Sequence, residues 1–69
     1  MDYTAVPGPP GGLPWTIWAG DQFMGELFST PVAATPKARV VAAFKLYLDE
    51  DVTRIRGNQK TGYAIWVAR

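Results

Sequence analysis

The chain contains no cysteine and no histidine among its 69 residues. The first absence excludes a disulfide framework and thiolate metal sites. The second removes the commonest metal ligand and the side chain that titrates nearest neutral pH. No run approaches the roughly 20 apolar residues that span a bilayer, and the opening MDYTAVPGPP has neither the basic nor the apolar region of a secretory signal. The expectation is a cytoplasmic protein, in the host cytoplasm if the chain is viral, with no membrane partner. A domain of this size buries only about 60 % of its unfolded surface, so stability without staples must come from large side chains, self-association or a partner. Three Trp, three Tyr and three Phe supply the large side chains.

Catalysis finds little to use. Without His or Cys a nucleophile would have to be Ser29 or a threonine with a lysine base, and no motif flanks any of them. Carboxylate-pair chemistry would draw on Asp21, Glu26 or Asp49-Glu50-Asp51, but so small a chain has little room for the pocket that such a pair needs. The acidic run also lacks the alternating oxygen ligands and the glycine of a calcium loop. Gln59-Lys60-Thr61 lacks the glycines of a phosphate-binding loop. No catalytic residue, metal ligand or cofactor is therefore assigned, and a non-catalytic binding role is expected.

Positive charge is missing from the first half. Met1–Pro36 carries Asp2, Asp21 and Glu26 with no Lys or Arg, a charge of −3, whereas 37–69 carries seven bases against three acids, a charge of +4. Such segregation predicts a surface of two signs, and a basic face attracts anionic partners. The same segregation also allows the two faces simply to pair with each other.

Along the chain, Val6 to Pro14 holds four of the six prolines, which argues against a helix or a central strand. Residues 1–14 are expected to be a flexible Pro/Gly-rich arm, with a single small domain over 15–69. The Pro7-x-x-Pro10 spacing within the arm is that of a polyproline ligand, but no arginine flanks it. Trp15–Trp18 and Phe23–Phe28 read as a hairpin around Gly20-Asp21, with Trp15, Ile17, Phe23 and Leu27 on one face and Trp18, Met24 and Phe28 on the other. Thr35 then offers an N-cap and Pro36 a first helical residue. Val40, Val41, Phe44, Tyr47 and Leu48 recur at helical spacing up to the acidic triplet, with Arg39 and Ala43 behind them.

Two continuations compete after Asp51. Val52–Arg56 can be a strand, with Gly57–Gly62 as a loop and Tyr63–Ala68 as its partner. Alternatively, the acids open a short helix that Gly57-Asn58 closes ahead of a C-terminal strand. The β-branched residues favour the strand. The fold class is α+β: an N-terminal β-hairpin, one main α-helix, then a second hairpin or a short helix plus strand, forming a small antiparallel sheet with the helix on one face.

The basic half carries the functional expectation. Arg54 and Arg56 share a strand face, while Asn58, Gln59 and Lys60 crown the loop, and Lys37, Arg39 and Lys45 add charge from the helix. Lys and Arg supply phosphate contacts, and Asn, Gln and Arg carry the donor and acceptor pairs that read base edges. As a strand the segment would act like a wing; as a helix it would carry Thr53, Arg54 and Arg56 into a major groove. In size and in its hairpin-then-helix order the chain resembles small phage-encoded DNA-binding regulators, which implies DNA as the partner. Glycine, asparagine and lysine are also what an ordinary hairpin turn needs.

The alternative is a protein-interaction module. Trp15, Trp18, Met24, Phe28, Tyr63 and Trp66 exceed what one helix can cover, and uncovered aromatic patches mark partners. The partner would be a host protein that the chain inhibits, or copies of itself in a homodimer, a larger self-assembly or a virion.

Overall fold

The structure is a computed structural model that describes residues 1–9 and 12–68. Five strands and one helix follow in the order β1 (Tyr3–Gly8), β2 (Gly12–Ala19), β3 (Gln22–Leu27), α1 (Pro36–Leu48), β4 (Val52–Asn58) and β5 (Gly62–Val67). The strands form one antiparallel sheet in the order β3-β2-β1-β5-β4, with α1 packed on one face. The α+β expectation holds, and of the two continuations after Asp51 the strand is the one adopted.

The segment expected to be an arm is different. Tyr3–Gly8 is the middle strand, paired with β2 on one side and β5 on the other. Proline is tolerated there for a local reason. The β1–β5 register runs only from Tyr3 to Ala5, and the β1–β2 ladder is irregular between Val6 and Gly8, so Pro7 falls where neither neighbour needs its missing N–H. Pro14 lies in the matching irregular stretch of β2, between the Gly12 and Thr16 pairings. The Pro7-x-x-Pro10 spacing lies partly outside the described residues, since Pro10 is not among them.

Side-chain alternation sorts the sheet into two faces. Trp15, Ile17, Leu27, Ala5, Tyr63, Ile65 and Val67 point to the helix side and form one buried cluster with Val40, Ala43 and Phe44 of α1. Tyr3 meets Phe44 edge to face, with ring centroids 5.5 Å apart. Within this core Trp15 keeps one unmet group: its indole N–H is buried without a hydrogen-bond partner among the described residues.

The hairpin expectation placed Phe23 with Trp15 and Ile17, and the structure moves it. Ile17 pairs with Gly25 but Trp18 pairs with Phe23, so an extra residue in β3 bulges out and flips everything before it to the opposite face. Gly25, at φ 144°, occupies a backbone conformation open chiefly to glycine, which fixes the bulge there.

Helix α1 starts as the sequence indicates. The Thr35 hydroxyl accepts the Ala38 N–H at 3.1 Å, and Pro36 takes the first turn. The seam that packs on the sheet is Val40, Ala43 and Phe44, so Ala43 is inside rather than behind, whereas Tyr47 and Leu48 are exposed in the last turn. Asp49 closes the helix in the left-handed conformation, and the Glu50 N–H reaches the Phe44 carbonyl at 3.2 Å. Lys45 gathers the neighbouring acids, with its ammonium 3.2 Å from Asp49 and 3.3 Å from Asp51. Those carboxylates hold its pKa above the ordinary lysine value. Among the described residues no helix is long and apolar enough to cross a membrane.

Candidate nucleic-acid interface

Among the described residues no helix or strand packs on the face of the sheet turned away from α1. One cross-strand row runs Phe23–Trp18–Thr4–Ala64–Arg56, each residue paired with the next, and spans all five strands. One row further along, Trp66 pairs with Arg54, whose guanidinium carbon lies 4.8 Å from the Trp66 ring centroid. Alternation puts these side chains together: Ile65 and Val67 turn into the core, so Trp66 between them must turn out.

Two indoles are oriented on this surface. The Trp18 Nε1 donates to the Thr16 hydroxyl at 3.0 Å, and the Trp18 ring meets Phe23 edge to face at 5.3 Å. Arg54 covers part of Trp66 by a cation–π contact, which suits a guanidinium because it is planar and weakly hydrated. Trp18 and Trp66 lie on strands separated by β1, about 10 Å apart across the sheet at the usual strand spacing.

Charge is graded across the same surface. Arg54 and Arg56 are exposed on β4 at one edge, and neither forms an ion pair among the described residues. Glu26 lies exposed on β3 at the other edge, and Asp21 sits in the turn before it. The opposite signs of the two halves of the sequence thus become opposite edges of one sheet.

The other expected residues divide. Asn58, Gln59 and Lys60 do crown the β4–β5 hairpin, but the Asn58 side-chain oxygen is committed to the turn, accepting the Lys60 N–H at 2.8 Å and the Thr61 N–H at 3.0 Å. Lys37, Arg39 and Lys45 belong to the helix, on the opposite side of the sheet from Arg54 and Arg56, and Lys45 is held by carboxylates. The structure therefore does not bring all eight basic and amide residues onto one surface.

The aromatic set divides too. Trp15 and Tyr63, at 3 % and 2 % exposure, are core residues and offer nothing to a partner. Trp18 and Trp66 line the open face, while Met24 and Phe28 are exposed along or just beyond the β3 edge. Sequence reasoning missed Phe23, Thr4 and Thr16 as members of the open face. Only the bulge reveals the first and only the strand character of residues 3–8 reveals Thr4, whereas alternation within Trp15–Trp18 already places Thr16 beside Trp18.

No protein-family model, no curated protein and no solved structure matches the chain. The site is therefore read from its own chemistry.

Proposed function

We propose that the chain is a non-catalytic binding protein that takes single-stranded nucleic acid, DNA in the first instance, on the open face of its sheet. The observation that supports this reading is the meeting of Trp18, Phe23 and Trp66 with Arg54 and Arg56 on one uncovered surface. Bases stack on aromatic rings whatever their sequence, and guanidinium groups neutralise the phosphates that link them. A flat sheet suits a single strand because its bases can splay outward and lie on the rings.

The charge gradient suggests a path. The phosphate backbone runs along the β4 edge beside Arg54 and Arg56, and the bases reach inward over Trp66 toward Trp18. Glu26 repels a backbone laid along β3. Lys60 at the hairpin tip extends the basic edge. A phage-type regulator acting in the host cytoplasm is the setting this reading suggests.

The test is a titration of a labelled oligonucleotide with the intact chain at several salt concentrations. Binding is expected at low salt, with log K falling by about 0.7 per phosphate contacted for each unit of log salt. Arg54→Ala with Arg56→Ala should flatten that slope, whereas Trp18→Ala or Trp66→Ala should weaken binding and leave the slope alone. Absence of binding at low salt to both single strands and duplexes would overturn the proposal, and tighter binding to duplex would overturn its single-strand form.

A second reading has its own observation. Phe23, Met24 and Phe28 are 49 %, 48 % and 73 % exposed at or near the β3 edge, which suits a protein partner or a homodimer. A Phe28→Ser chain that changes neither sedimentation nor any recovered complex would remove support for it.

A further inference from the structure

The sheet ends in two open edges. The order β3-β2-β1-β5-β4 leaves the outer sides of β3 and β4 without a strand partner among the described residues, and each presents a row of backbone N–H and C=O groups. Their charges are opposite. Glu26 is exposed on β3 with Asp21 in the turn before it, whereas Arg54 and Arg56 are exposed on β4 and form no ion pair among the described residues. Lys45 holds Asp49 and Asp51 beside the start of β4, so the two arginines set the sign of that edge.

Direction and charge together select which edges can meet. A two-fold contact of β4 with β4 sets arginines against arginines, and one of β3 with β3 brings Glu26 near its own copy. Like charges across a ladder are destabilising. The pairing of β3 with β4 avoids this. All four neighbouring strand pairs are antiparallel, so β3 and β4 run in the same direction. A copy shifted sideways without turning therefore lays its β3 parallel to the first copy's β4, with both open faces on one side. Glu26 pairs with Thr16, which lies between the buried Trp15 and Ile17, so Glu26 points to the open face as Arg54 and Arg56 do. Turning the copy over would make the new ladder antiparallel but would put Glu26 and the arginines on opposite faces. The half-exposed Phe23 and Met24 on the β3 edge offer apolar surface to the aliphatic stems of the arginines. One copy is five strands wide, about 24 Å at the usual spacing, so helices about 10–12 Å across do not collide.

We propose that a second copy of this chain docks by its β3 edge onto the β4 edge, in parallel, with both open faces on one side. The contact is head to tail. Each added copy leaves one free edge of each sign, so association continues past a dimer. It forms without nucleic acid.

The test is sedimentation of the intact, nucleic-acid-free chain at rising protein concentration and at low and high salt. The mean mass should climb from monomer past dimer at low salt and fall back at high salt. Glu26→Lys with Asp21→Asn makes both edges positive, and Arg54→Glu with Arg56→Glu makes both negative. Each variant alone should associate about tenfold more weakly. Mixed in equal amounts, the two should recover association, because edges of opposite sign are again available. All four positions are exposed, so these changes leave the core intact. A chain still monomeric at about 1 mM, a mass that stops at the dimer, or a mixture no more associated than its components would each overturn the proposal. None of these outcomes depends on whether oligonucleotide binds.

Discussion

The Arg54 guanidinium rests 4.8 Å from the centre of the Trp66 ring, and the two residues face each other across the β4–β5 ladder. Charge and aromatic surface are thus presented as one unit on the open face. A double-mutant cycle with Arg54→Ala and Trp66→Leu should give a coupling of about 0.5–1 kcal/mol in urea unfolding, the range for an exposed cation–π pair. Added single-stranded oligonucleotide should stabilise the native chain and lose that effect in the double variant. A coupling of zero would mean that the contact does not persist in solution.

Phe44 carries the helix onto the sheet. It is fully buried and touches Tyr3 edge to face. Phe44→Ala should cost about 3–5 kcal/mol, enough to unfold a domain this small, whereas Tyr47→Ala in the exposed last turn should cost far less. Thermal melts followed by far-UV circular dichroism would separate the two. Thr35→Ala should fall between them, at about 1 kcal/mol, through loss of the N-cap.

Gly57 is fixed by two constraints at once. Its φ is 127°, and a Cβ on it would collide with the Gly62 carbonyl oxygen across the hairpin. Gly57→Ala should destabilise by about 1–3 kcal/mol and shift amide signals on both sides of the turn. A silent substitution would show that the hairpin closes differently.

Alkaline pH tests the surroundings of Tyr63. Burial pushes its phenol above the ordinary value of 10.0, so the native state resists ionisation that the unfolded chain undergoes. The stability linked to this group is complete below pH 10.0 and declines as pH rises through that value toward the native phenol's own. Unfolding titrations of the parent chain and Tyr63→Phe should diverge in that alkaline window and run parallel below it. Parallel curves throughout would place the phenol in water.

Local chemistry made much of this fold legible. The Thr35-Pro36 start, the end of the helix before the acidic triplet, and the β-branched run from Val52 each state a preference that the tertiary structure leaves intact. The prolines of 6–14 were misleading because a proline's effect depends on which neighbour needs its N–H, and register decides that. Phe23 was misplaced because a bulge is invisible to strict alternation. For the site, Arg54, Arg56, Trp18 and Trp66 could be named from composition and strand period. That they share a face required knowing that β1 separates β2 from β5. The helix lysines looked equivalent to the β4 arginines only because sequence carries no record of which side of a sheet a helix covers.

The pairing of β1 with β5 has a consequence for how the molecule comes into being. Asp2 accepts the Val67 N–H at 2.9 Å, so nearly the whole chain lies between residues that must meet. The growing polypeptide on a ribosome holds a central strand with one side unsatisfied until β5 has been made, and contacts so distant in sequence form slowly. Chains that have not yet reached β5 therefore expose a sticky strand, and the sheet closes only once β5 is free to lie beside β1.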